Sequence, residues 1–300
     1  MTTKLLITGA TGYVADQLLP AFRDRYDLVL VDVTEKNRRG ERVEGVTIAD
    51  LIDTDRSGYN HLFEGVEAVV HLGRVRRSGD VLDHYYDESK NVVMAYNVLR
   101  CAYEAGVPRV AVATSNHAAD WYEHNLLHSR KMEMLDPFAL PLSDNFYGWS
   151  KASIEHMGFL FACGFRDGQG GSGRRSHALE SGSLRQMGTV MVRIGAPRDL
   201  EIERYRDDPV GLKRDLGAYI SARDLTQLFM RAVEAPDINN EHGIPWQVVY
   251  GISNNTRAFW SLANARQVLG YQPEDDAEMK FASLVQTLLV DTGAGGRLGS

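Results

Sequence analysis

Tyr147 and Lys151 stand one helical turn apart in the stretch Tyr147-Gly148-Trp149-Ser150-Lys151. On a helix this spacing puts both side chains on one face. An ammonium beside a phenol stabilises the phenolate and draws its pKa down from about 10. Tyr147 then becomes a general base toward an alcohol, or a general acid toward a carbonyl. Ser115, upstream at the end of an apolar run, brings a hydroxyl able to hold the same substrate oxygen. A Tyr and a Lys at this spacing also occur at the start of ordinary amphipathic helices. The assignment therefore rests on the elements around them.

The first of these is a glycine loop. Gly9-Ala10-Thr11-Gly12-Tyr13-Val14-Ala15 joins an apolar run to a helical pattern. Glycines there let the backbone approach a pyrophosphate, and the helix start offers it free N–H groups. The spacing is Gly-x-x-Gly-x-x-Ala, and alanine at the third position still permits close helix packing. Asp32 ends the next apolar run. A carboxylate there accepts hydrogen bonds from both ribose hydroxyls and repels a 2′-phosphate, which favours NAD over NADP. Arg38 and Arg39 read as part of a solvated loop. Asp50-Leu51 either holds the adenine amino group or forms a surface turn. Leu72-Gly73 ends a further strand, where backbone would border the cofactor.

Short β-branched runs alternate with longer helical patterns, the signature of a parallel sheet. Strands are expected at Lys4–Thr8, Asp27–Val33, Val46–Ala49, Glu67–Leu72, Val110–Ala113 and Thr189–Ile194. Their solidly apolar character fits burial on both faces. Helices are expected over 12–24, 87–105, Ser150–Phe165 and near 222–235. Two stretches look inserted: 118–145, polar with interleaved Met and aromatic residues, and the Gly/Ser-rich 167–188. The fold class is thus α/β, a Rossmann-like doubly wound parallel sheet. Residues 1–195 form an NAD-binding domain whose sheet continues to about 252, interleaved with a small substrate-binding part over 196–300.

Composition narrows the setting. The chain has 300 residues, 44% of them hydrophobic. Its 40 acidic residues exceed 33 basic ones, for a net charge of −7, which argues against a nucleic-acid partner. Only Cys101 and Cys163 occur, so neither a disulfide framework nor a thiolate metal site is available. No signal segment or membrane-spanning apolar run is visible, and a cytoplasmic location is expected. His124 and His128 share the spacing of a zinc helix, but Asn125 stands where a metalloprotease would place Glu. No metal site is expected.

The residues above resemble the extended short-chain dehydrogenase/reductase superfamily over essentially the whole chain, and within it the NAD-dependent uronate dehydrogenases. The likeness rests on the glycine loop, Asp32, Asp50-Leu51, His71-Leu72-Gly73, Asn91, Ser115 and the Tyr147/Lys151 pair. Thr114-Ser115-Asn116-His117, Val192-Arg193-Ile194-Gly195, Tyr219–Asp224, Trp246–Ser253, Trp260 and the closing 269–278 add to it. The resemblance implies that Gly9, Thr11, Gly12, Tyr13, Val14, Asp32, Asp50, Leu51, Leu72, Gly73, Asn91, Tyr147, Lys151 and Ile194 contact NAD. It implies a small acidic sugar bound by Arg76, Ser115, Asn116, His117, Tyr147 and Arg214. Arg214 falls where the family binds the sugar carboxylate. The implied reaction oxidises the C1 hydroxyl to a lactone with Tyr147 as base, in a homo-oligomer paired through helices around 89–106 and 149–165. The family usually has Ser where Arg76 and Ala196 stand, so the chemistry transfers better than the substrate. Arg76 adds positive charge and hints at a more acidic or differently placed anion. Two other readings share many of these residues: a nucleotide-sugar epimerase, and a non-catalytic NAD-binding protein. A dehydratase would need an acid pair where Asn116-His117 stands.

Overall fold

A computed structural model of the chain describes residues 2–165 and 185–296. Most of the Gly/Ser-rich insertion, with Arg174 and Arg175, lies outside the described residues. The strands are β1 (Lys4–Thr8), β2 (Asp27–Asp32), β3 (Val46–Ile48), β4 (Ala68–His71), β5 (Arg109–Ser115), β6 (Gly188–Ile194) and β7 (Trp246–Gly251). They form one seven-stranded sheet in the order β3-β2-β1-β4-β5-β6-β7, parallel at every pairing. This is a Rossmann-like α/β fold.

The helices are α1 (Tyr13–Arg25), α2 (His84–Ala105), α3 (Asp120–Tyr122), α4 (Phe146–Cys163), α5 (Ile202–Tyr205), α6 (Pro209–Ala218), α7 (Ala222–Glu234), α8 (Ala263–Leu269), α9 (Ala277–Lys280) and α10 (Ala282–Val285). The sheet alternates its side chains between two cores. Leu5 and Ile7 enter one core with Phe22 of α1 and Leu228 and Phe229 of α7. Leu6 and Val69 enter the other with Val98 and Leu99 of α2 and Ile154 and Phe161 of α4. Both faces of each central strand are therefore covered by helices, and polar alternation disappears from the sequence. A third, smaller core gathers Leu200, Tyr205, Leu212, Leu216 and Tyr219 around Leu288 and Leu289 near the C-terminus.

Parallel strands all end on one edge. The order reverses between β1, whose crossover leads outward to β2, and β4, which begins the second half. At this switch point the connections leave on opposite sides and open a crevice. His71, the last residue of β4, is buried there and shares a 2.6 Å hydrogen bond between Nδ1 and Thr8 Oγ1. Burial, and secondarily the charge of Lys151, push the imidazole pKa down from 6.5 to about 3. The folded chain thus keeps His71 neutral where the unfolded chain would bind a proton.

A histidine with a depressed folded-state pKa contributes full stability above pH 6.5 and loses it as pH falls toward 3. Within that window His71 should cost up to about 1.4 kcal/mol per pH unit. Urea denaturation of the native chain and of His71→Asn between pH 6.5 and 5, where most carboxylates stay ionised, should show the shallower slope in the variant. Equal slopes would contradict a neutral buried imidazole.

Candidate active site

The crevice is a cleft of about 930 Å³ along the carboxyl edge of the sheet. Its first wall is the glycine loop. Gly9 has φ +68°, and a Cβ there would sit 2.7 Å from the Gly73 nitrogen and the Leu72 carbonyl carbon. Only glycine lets the β1–α1 turn lie this close to the end of β4. Gly12 begins α1 with no side-chain cap, so the first N–H groups of the helix have no side-chain acceptor. The starts of α4, α6 and α7 are instead capped by Asn145, Asp208 and Ser221. An uncapped helix start beside a glycine loop fits a pyrophosphate.

Asp32 ties the end of β2 to the glycine loop. Its Oδ2 accepts from the Thr11 amide (2.9 Å) and hydroxyl (2.8 Å), and its Oδ1 from the Val33 amide (2.7 Å). Asp50, Leu51, Leu72, Gly73, Tyr13, Val14 and Ile194 also line the cleft. Asp50 makes a turn, accepting from the Ile52 amide at 3.0 Å. Arg38 sits in an exposed turn, as its sequence context suggests, yet it also faces the cleft. It lies 5.3 Å from the Tyr13 ring centroid and lines the cleft, whereas Arg39 turns outward to Asp16 and Glu41. Asn91 is set back from the cleft lining. Its amide is tied to both backbone groups of Val75 (2.7 and 3.1 Å) and to Glu88 (3.0 Å), so it holds the chain that leaves β4.

The opposite wall carries the Tyr/Lys pair. Helix α4 starts at Phe146, four residues before the sequence pattern suggests, because the Asn145 side chain caps it by accepting from the Gly148 amide at 3.0 Å. Tyr147 thus falls in the first turn. Gly148 presses against residue 117 so closely that an added Cβ would overlap the His117 carbonyl and the Ser143 hydroxyl. The result is a 5.4 Å separation between the rings of His117 and Tyr147. Lys151 is buried and donates to the Ala113 carbonyl at 3.1 Å, its ammonium 5.8 Å from the Tyr147 ring centroid. Burial lowers its pKa; the phenol acts in the opposite direction and favours the charged form.

Ser115 and His117 border the same space. The Ser115 hydroxyl oxygen accepts from the His117 amide (3.3 Å), which leaves its proton to donate elsewhere. His117 Nδ1 is held by Asp120 at 3.0 Å. Asn116 is buried; in the amide orientation that satisfies both neighbours it donates to the Ile194 carbonyl and accepts from Arg214, each at 3.0 Å. Arg214 lines the cleft, but Glu123 takes its Nε (2.8 Å) and Nη2 (3.3 Å), and Asp215 takes Nη1 (2.8 Å).

Three features were not legible from residue types alone. Glu123 comes from the 118–145 insertion, through a widened turn at Glu123–Leu127. Burial would raise its carboxyl, but the His128 imidazole 3.3 Å away and the Arg214 charge outweigh it and hold the pKa at about 2. His124 and His128 engage separate carboxylates, Asp144 and Glu123, and no metal-binding cluster is present among the described residues. Arg74 and Arg77 join Arg76 at the cleft, their guanidinium carbons 4.4 and 5.1 Å from the Tyr147 ring centroid. The signal for them was the run Arg74-Val75-Arg76-Arg77 directly after a strand end.

Fold and cleft together define a dinucleotide-binding α/β protein with a tyrosine–lysine pair facing the cofactor channel. The sequence profile of the NAD dependent epimerase/dehydratase family matches residues 5–162, and the chain belongs to that family. NAD is its cofactor. The chain is 30% identical to an NAD-dependent glucose-6-phosphate dehydrogenase of Haloferax volcanii, over 94% of this chain and 97% of that one. It is 29% identical to a uronate dehydrogenase of Pseudomonas syringae pv. tomato, over 92% of this chain and 83% of that one. Among solved structures it is similar to a glucuronic acid dehydrogenase from Chromohalobacter salexigens, with a TM-score of 0.69 at 25% identity, covering 95% and 90% of the two chains. Among the described residues no helix is long and apolar enough to cross a membrane.

Two glycines test this geometry. Gly148→Ala should lower the unfolding free energy by about 1 to 3 kcal/mol, the usual cost of overpacking, as read from denaturant midpoints. Gly9→Ala should weaken NAD binding in calorimetry by about tenfold or more, equivalent to about 1.4 kcal/mol. Native-like values in both variants would mean that the two close approaches are not present.

Proposed function

We propose that the chain oxidises the C1 hydroxyl of a small acidic sugar to a lactone, with Tyr147 as general base. The observation that carries this reading is the buried Lys151 beside Tyr147 and Ser115, all lining the cleft that the glycine loop begins. NAD, when bound, supplies the hydride acceptor, and the residues that would hold it are the uncapped start of α1, Asp32, Asp50, Leu72, Gly73 and Ile194.

The chain's own part is to place one hydroxyl and remove one proton. Ser115 donates to the sugar oxygen. Tyr147, as phenolate, takes the hydroxyl proton while the C1 hydride leaves, so the two electrons and the proton part company. The Lys151 ammonium and the Arg74 and Arg77 guanidinium groups against its ring stabilise the phenolate charge. Lys151 is dry, which strengthens its interaction with the phenolate. His117, fixed by Asp120, borders the sugar beside the reacting oxygen. The similar dehydrogenases named above for glucose 6-phosphate and uronate both take anionic sugars, and the arginines at this cleft fit such a substrate.

A second copy of the chain is proposed to pack on α2 and α4. Tyr85 and Tyr96 stand three turns apart on α2, as do Trp149 and Leu160 on α4, and all four are exposed. Sedimentation that returned only the mass of a single chain would exclude this assembly.

The catalytic reading is tested by NADH formation with free uronic acids, sugar phosphates, neutral aldoses and nucleotide sugars. Net NADH is expected from an acidic sugar. Tyr147→Phe should lower kcat by about a thousandfold, within the range that general-base catalysis supplies, with NAD binding retained. An epimerase would form no net NADH, and a Tyr147→Phe variant with native turnover would remove the phenol from the mechanism.

A further inference from the structure

The arginines of the cleft fall into two sets that differ in what already neutralises them. Arg214 is committed. Each of its three nitrogens has an acceptor in Glu123 or Asp215, and Asn116 takes a further donor of Nη2. Asp215 is also approached by Arg204 at 3.3 Å and Arg198 at 3.8 Å. Glu123 is buried and stays ionised over any ordinary pH. A substrate carboxylate could pair fully with Arg214 only by displacing a buried carboxylate from it.

The chain leaving β4 is the opposite case. Arg74 and Arg76 line the cleft and are exposed, and neither has an acidic partner among the described residues. Arg77 has only Glu88, at 3.6 Å. Glu88 is itself buried, and its Oε1 lacks a hydrogen bond. Arg74 and Arg77 meet at the Tyr147 ring, where the reaction is placed. Asn91 fixes the base of this segment through Val75, so the three arginines project from an anchored turn.

We propose that the acidic group of the substrate is a phosphoryl group held by Arg74, Arg76 and Arg77, and that the substrate is a phosphorylated aldose rather than a free uronate. This rests on the dehydrogenase reading above. Two guanidinium groups with no carboxylate partner among the described residues match a dianion, whereas a carboxylate would leave one of them unanswered. Guanidinium forks bind phosphoryl oxygens in pairs. The exposed rim also lets a strongly hydrated group keep part of its water. Arg76, where the uronate dehydrogenases usually have Ser, is the residue expected to tip the choice.

The test compares NADH formation from an aldohexose 6-phosphate, an aldopentose 5-phosphate, the matched free uronate and the neutral aldose. The phosphorylated sugars should exceed the uronate in kcat/KM by about a hundredfold, roughly 2.7 kcal/mol of discrimination. Arg76→Ser should remove about tenfold of that ratio through KM, and KM should rise with salt. A second readout needs no turnover: calorimetric binding of the sugar phosphate to the NADH complex of Tyr147→Phe, weakened by adding Arg76→Ser. A uronate preferred over the phosphorylated sugars, with Arg76→Ser leaving its KM unchanged, overturns the phosphoryl site and leaves the dehydrogenase intact. NADH from no sugar overturns the dehydrogenase reading instead; calorimetry then decides the anion site alone, and no binding of the sugar phosphate overturns it as well.

Discussion

A buried ammonium governs the arrangement of this site. Lys151 is almost without solvent contact, and burial by itself disfavours its charge. What keeps an amine there is a set of oxygens around it. The Ala113 carbonyl accepts from it directly, and the phenol of Tyr147 and the carboxylates Glu88 and Glu155 favour its charged form. Each carboxylate is in turn held. Glu155 lies in a two-pronged pair with buried Arg193 (2.9 and 2.7 Å), and Thr114 donates to it at 3.0 Å. Glu88 accepts from Ser150 at 2.6 Å and from Asn91 at 3.0 Å. The network spans α2, α4, β5 and β6. Removing one member would leave a buried charge without its partner, the expensive outcome for polar groups in a core.

Backbone stations the Tyr147 phenol, which the proposed reaction uses as its base. Tyr147 sits in the first turn of α4, and that turn is fixed from both sides. Asn145 caps it and also donates to Asp120 at 2.6 Å, while Asp120 holds His117. Gly148 removes the side chain that would otherwise push α4 away from the end of β5. The helix start, the strand end and the insertion are thereby locked to one another. A general base gains from this rigidity, since a displacement of about 1 Å at the reacting atoms can cost about a hundredfold in rate.

The sheet was the most legible part of the chain. Its central strands are buried on both faces, so they read as solid apolar runs, and β1 to β6 lie where such runs lie. Helix α4 was read to start late, at Ser150, because the cap that begins it is an asparagine whose partner is three residues on. The glycine loop, Asp32 and the Tyr/Lys pair were legible because their spacing is local. Glu123 was not, because it acts on a residue 91 positions away and only the folded insertion brings them together. Asn91 was placed on the cofactor by resemblance, whereas its amide is spent on Val75 and Glu88. Local spacing records which chemistry is available; long-range charge pairing, which decides whether a given cation is free to use it, leaves no periodic trace.

That distinction bears most on Arg214. By type and position it is an anion-binding residue, and a guanidinium in a cleft ordinarily suffices for that inference. Its neighbours change its meaning. With Glu123 and Asp215 on its nitrogens and the Trp260 ring 5.6 Å from its guanidinium carbon, Arg214 is a packed cation that braces α6 against the insertion. Its charge is spent before any ligand arrives. The charge on the segment after β4 is not spent, and it projects from the strand end where a parallel sheet places its ligands. Two arginines can thus stand in one cleft, one as structure and one as recognition, and the difference lies in whether a buried carboxylate already shares their hydrogen bonds.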